Sequence, residues 1–137
     1  MNNFEYYVGE GKVKKSSPDM ELSISLIKDA DSRFEKVTKL DIEEFGKIIF
    51  ENIYDALRDL LDAVLAFDGF KSYSHEAAIA YMEKYGFEDS VLQEMDHFRY
   101  LRNSSKYYGK DIPASDIEGI IEFYKKYSEK IKRCAKK

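Results

Sequence analysis

The run richest in chemical possibility is Arg99-Tyr100-Leu101-Arg102-Asn103-Ser104-Ser105-Lys106-Tyr107-Tyr108-Gly109. On a helix, Arg99, Arg102 and Lys106 recur at three- and four-residue spacing with Asn103 beside them, so their cations project from one side. Such a side suits a phosphate. The planar fork of arginine donates two hydrogen bonds to phosphate oxygens, and Tyr100, Tyr107 and Tyr108 stand where a ring could stack on a base or hydrogen-bond to it. Arg99, Arg102, Asn103, Lys106, Tyr107 and Tyr108 are the candidate ligand-binding residues. The competing reading is a solvated helix end, whose cations complement the negative end of the helix dipole.

Other residue types add little chemistry. The chain has two histidines. His97 lies five positions before Arg102, which turns it about 140° away on an ideal helix, so the two do not converge on one phosphate within a subunit. His75 opens a short helix, whose positive end favours the neutral imidazole. Gly9-Glu10-Gly11-Lys12 lacks the spacing and the preceding strand of a phosphate loop. Asp55, Asp59 and Asp62 have no Glu-x-x-His companions and read as a solvated helix face, so neither a metal nor a cofactor is expected.

The elements that must position these residues read as helices. Ser17 offers a cap, with Pro18 at the first helical position and Leu22, Leu26, Ala30, Phe34 and Val37 at helical spacing behind it. Asp41 and Glu44 form a capping pair before the strongest periodic stripe, Ile42, Phe45, Ile49, Ile53, Leu57, Leu60, Leu61, Val64 and Phe67, which ends at Asp68-Gly69. Ser74 caps a compact helix through Ala77, Ala78, Tyr81 and Met82, closed by Tyr85-Gly86. A further helix starts at Asp89 or Ser90, with Leu92, Met95, Phe98, Leu101 and Tyr108 inward. Ser115-Asp116-Ile117-Glu118 reads as a capping box for the last helix, whose apolar face is Ile117, Ile120, Ile121, Tyr124, Tyr127, Ile131 and Cys134. The expectation is an all-α, up-and-down bundle of four long helices and one short one, without strand-like alternation. It occupies residues 18–133, after an arm at 1–17 that either docks or stays mobile and before a basic tail at 134–137.

Composition sets limits on function. The chain has 137 residues, 44% hydrophobic and 35% charged, enough for one domain with a real core. A net charge of −4 argues against a general nucleic-acid binder. The charges are segregated nonetheless, since residues 41–68 carry eight carboxylates against Lys47 and Arg58 alone. One cysteine, Cys134, allows no internal disulfide. Residues 1–15 lack the apolar core of a signal peptide, and no apolar run reaches the roughly 18 residues of a membrane span, so a cytoplasmic protein is expected.

Taken together, the capped first helix, the long helix with Tyr54-Asp55-Ala56-Leu57-Arg58-Asp59-Leu60-Leu61-Asp62-Ala63, the link Gly69-Phe70-Lys71-Ser72-Tyr73-Ser74-His75-Glu76, and Leu101-Arg102-Asn103 before Tyr107-Tyr108-Gly109 resemble the HEPN family. The resemblance spans residues 18–132. It implies a helical bundle that pairs into a homodimer, often encoded beside a minimal nucleotidyltransferase partner, and contact with a nucleotide or RNA. Many members are metal-independent ribonucleases or toxins with an Arg-x(4–6)-His motif at the dimer cleft. Arg102 and Asn103 match its first half. Tyr107, Tyr108 and Gly109 fill the histidine's place, and counting from Arg99 finds only Ser104, Ser105 and Lys106. A tyrosine with an ordinary pKa near 10 is ionised only about one part in a thousand at pH 7. Losing a positioned base costs about 10²- to 10⁴-fold in rate. The expectation is an accessory protein that binds without strong catalysis. The alternative is a weak or atypical toxin ribonuclease of a toxin–antitoxin system, using Arg102 with Tyr107, Lys106 or a histidine of the second subunit.

Overall fold

A computed structural model of the chain describes residues 1–136, apart from the side chain of Tyr107. The roles expected of Tyr107, and Lys137 of the basic tail, lie outside the described residues. Among the described residues, six α-helices and one two-stranded sheet follow in the order α1 (Phe4–Gly9), β1 (Val13–Lys15), α2 (Met20–Val37), α3 (Ile42–Asp68), β2 (Phe70–Ser72), α4 (His75–Tyr81), α5 (Asp89–Tyr108) and α6 (Ala114–Cys134). A 3₁₀ turn, Met82–Tyr85, follows α4. The chain is an all-α helical bundle, and no helix among the described residues is long and apolar enough to cross a membrane.

The long periodic stripe makes α3 the central element. Ile49, Ile53, Leu57, Leu60, Leu61 and Val64 are all buried, and α3 touches α2, α4, α5 and α6. Asp41 caps it, its carboxylate accepting from Glu44 N at 2.9 Å. Gly46 lets α6 come close, since a Cβ there would lie 2.7 Å from Ile117 Cδ1. At the other end Gly69 adopts φ +89°, and a Cβ would lie 2.8 Å from Ser16 O, so both conformation and space require glycine.

The expected cap of α2 shifts. Asp19, not Ser17, takes the position, accepting from Leu22 N at 3.0 Å, and Pro18 stands before the cap with its ring over Gly69. A carboxylate is a strong cap, and the chain before Pro18 is held extended by the bond from Ser16 N to Gly69 O. Leu22 is consequently 47% exposed, and Ser23 instead is buried, its hydroxyl donating to Ala63 O at 2.8 Å. The last helix also begins earlier than its capping box. Pro113 is the cap residue, and its carbonyl accepts from Asp116 N and Ile117 N, which leaves Ser115 inside the first turn. Tyr108, expected inward, is 77% exposed.

The arm folds against the bundle. Tyr7 and Val13 bury with Ala77 and Ala80 in a small second core, and Phe4 packs edge-on to Phe70 with ring centroids 5.5 Å apart. Strands β1 and β2 pair antiparallel with Val13 opposite Ser72, Lys14 opposite Lys71 and Lys15 opposite Phe70. Three-residue strands are too short to show the alternation by which strands are read from sequence. Phe4, Tyr7 and Val8 do carry helical spacing behind the cap residue Asn3, whose side chain accepts from Tyr6 N at 3.0 Å, and these are signals that could have revealed α1.

Candidate functional site

Helix α5 is anchored by Leu92, Met95 and Phe98, which are buried in the main core. That anchoring fixes where its cations go, and it divides the expected stripe. Arg102 is 9% exposed and turns toward α3, where Nη2 donates to Asp55 Oδ1 at 2.9 Å. The other oxygen of Asp55 lies 3.6 Å from Arg33 Nη1 on α2, so this carboxylate ties three helices together. One turn on, Ser105 Oγ donates to Glu51 Oε2 at 2.7 Å. Arg102 and Ser105 thus form a seam between α5 and α3.

Arg99 and Asn103 face elsewhere. They line a cleft of about 420 Å³ with Tyr6 and Lys12 of the arm and with His75 and Glu76 of α4. Arg99 Nε donates to Asp96 Oδ1 at 2.7 Å, one turn back on the same helix, which orients the guanidinium. Lys106 and Tyr108 are exposed and do not line this cleft.

His75 is the residue of this cleft that helical spacing on α5 could not reveal. Its Nδ1 lies 3.1 Å from the Tyr54 hydroxyl, and the two rings are parallel within 1°. Burial pushes its pKa down to about 4, and Arg58, Arg102, Arg99 and Lys106 push the same way, so the ring is neutral at pH 7. Tyr54, 1% exposed, has its pKa raised by burial against the opposing pull of Arg58, Arg99 and Arg102, and it stays protonated. His97 takes no part, because its Nε2 pairs with Asp116 Oδ1 of α6 at 3.1 Å.

The carboxylates of α3 are not the solvated face that composition suggests. Asp62 accepts from Arg58 Nε at 3.0 and 3.1 Å, and burial pushes its carboxyl up against the pull of that arginine. Asp59 is raised to about 6, by burial first, with Arg33 lowering it and Asp62, Asp55 and Asp29 raising it. Helix α2 covers this side, a contact that no local spacing announces. Among the described residues no three His, Cys, Asp or Glu side chains converge on a metal position.

No family model matches the chain, and no curated protein or solved structure matches it. The reading of function therefore rests on the site and on the resemblance carried by the sequence.

Proposed function

We propose that this chain is a HEPN-like accessory protein that acts as a homodimer and binds the phosphate of a nucleotide or of RNA, beside a nucleotidyltransferase partner, without strong catalysis of its own. One observation carries the binding part of this reading, while the homodimer and the partner are what the sequence resemblance implies. Arg99 and Asn103, a turn apart on α5, share a polar cleft with Lys12 and His75, while Arg102 is tied to Asp55. Arg99 then supplies the charge-assisted hydrogen bonds, and Arg102 keeps α5 in place. Tyr6 and Tyr73 line the same cleft, where a tyrosine ring can stack on a base.

The test is binding of ATP and of a short single-stranded RNA, with ribonucleolysis followed in the same samples. Arg99→Ala is expected to weaken binding about tenfold or more, the worth of a hydrogen bond to a charged group. Robust cleavage by the wild-type chain, abolished by Arg102→Ala in a folded variant, would overturn the reading.

A second reading draws on His75, a histidine in the same cleft as an arginine. An atypical toxin ribonuclease using this pair predicts growth inhibition on expression, relieved by a co-expressed nucleotidyltransferase. A pKa of about 4 makes His75 a weak base at neutral pH, which favours the binding role.

A further inference from the structure

We infer that the cleft is a built oxyanion site in which His75 acts as a fixed hydrogen-bond donor through Nε2–H, held in that tautomer by Tyr54. The inference deepens the binding reading above and rests on it. Tyr54 is 1% exposed, and the sole hydrogen-bond partner of its hydroxyl among the described residues is His75 Nδ1, at 3.1 Å. Were Nδ1 to carry the imidazole proton, it would donate to Tyr54, and the buried O–H would have no acceptor. Leaving a buried donor unsatisfied is costly, so the O–H donates and Nδ1 accepts. The proton of the neutral ring then sits on Nε2. With Nδ1 turned to a buried hydroxyl, the opposite edge of the ring is left to meet the cleft that His75 lines.

Three further donors meet it there. The Nε of Arg99 is held by Asp96, and its terminal nitrogens make no hydrogen bond to the described residues. Lys12 Nζ and the Asn103 carboxamide line the same space, also without a hydrogen-bond partner among those residues. Cation, fork, amide and imidazole N–H together match the lone pairs of one phosphate. Glu10 and Glu76 line the cleft too, and they oppose a bare anion. They suit a phosphate monoester whose carrier bears hydroxyl groups that donate to carboxylates. The ligand class is therefore a phosphorylated, hydroxyl-rich group rather than inorganic phosphate. The same geometry argues against His75 as a base, because Nε2 is already protonated and Nδ1 is occupied.

The experiment is a titration of the full chain with ribose 5-phosphate, inorganic phosphate serving as the second probe, followed by long-range proton–nitrogen correlation spectra of the His75 ring. The expected result is an Nε2–H tautomer in the unliganded protein, a shift of that nitrogen on adding ribose 5-phosphate, and weaker binding of inorganic phosphate. His75→Gln, whose amide can replace the donor, should keep affinity within about threefold, while His75→Leu should lose about tenfold or more. Tyr54→Phe should let both tautomers populate. An Nδ1–H tautomer in the wild-type chain, or equal affinity in the Gln and Leu variants, overturns the inference. Binding of ATP or RNA that leaves the His75 nitrogens unmoved overturns it too, while leaving the broader reading standing. Absence of any binding removes both.

Discussion

Arg99 and Arg102 stand three residues apart on α5, yet they belong to different parts of the molecule. Arg102 meets Asp55 across a seam closed by α3, and Arg99 meets Asp96 on its own helix and then a cleft. Both are arginines on an acid, so residue type does not separate them. What separates them is the element opposite. An arginine facing a carboxylate of another helix holds those helices in register, and one whose free end opens on a cleft keeps donors for a ligand.

The comparison can be broken by substitution. The largest effect is expected at the seam, where Arg102→Ala leaves Asp55 without its closest partner and should cost about 2 kcal/mol, or roughly 8 °C in Tm, measured by urea and thermal unfolding. A loss below about 1 kcal/mol would mean that Arg102 is not a strut.

Acid separates the two regions more finely. His75 has a folded pKa of about 4, below its unfolded value, so the unfolded chain takes up the proton first and this residue removes stability as pH falls from about 6.5 to 4. Asp59, at the α2 side, has a folded pKa of about 6, above its unfolded value. The folded chain takes up that proton first, so its contribution is full below about 3.8 and is lost as pH rises through 6. The two trends oppose each other between pH 4 and 6. Both groups are half-buried, and solvent screening brings each to about 1–2 kcal/mol. Relative to wild type, His75→Gln should gain stability on acidification, and Asp59→Asn should be more stable at pH 7 with the advantage gone by about pH 4. Denaturant melts at a series of pH values read both, and parallel profiles for the two variants would remove the proposed contrast.

Smaller still, Ser105→Ala should cost about 1 kcal/mol through the lost bond to Glu51. Smallest is Arg99→Ala, whose effect on stability should stay within about 0.5 kcal/mol, since its ion pair with Asp96 lies within one helix turn.

The same distinction explains what could be read from sequence. The stripe from Ile49 to Val64, the Asp41 cap and the Gly69 stop are local patterns, and the structure has all of them. The helix caps read at Ser17 and Ser115 each lie two residues from the observed ones, because a carboxylate and a proline nearby set stronger boundaries. The division of α5 was not legible. Asp55 lies 47 residues before Arg102, and His75 reaches the cleft from another helix, so helical spacing alone placed Arg99, Arg102 and Lys106 together. Lys12 and Tyr6 are equally hidden, because they join the cleft through the packing of α1 on α4 and the pairing of two very short strands.

The central claim, that Arg99 binds and Arg102 braces, is tested most directly by measuring ATP and RNA affinity together with unfolding free energy on the Arg99→Ala protein. The account predicts affinity down about tenfold or more with stability unchanged. Unchanged affinity in that variant, with binding lost instead in Arg102→Ala while it remains folded, would contradict it.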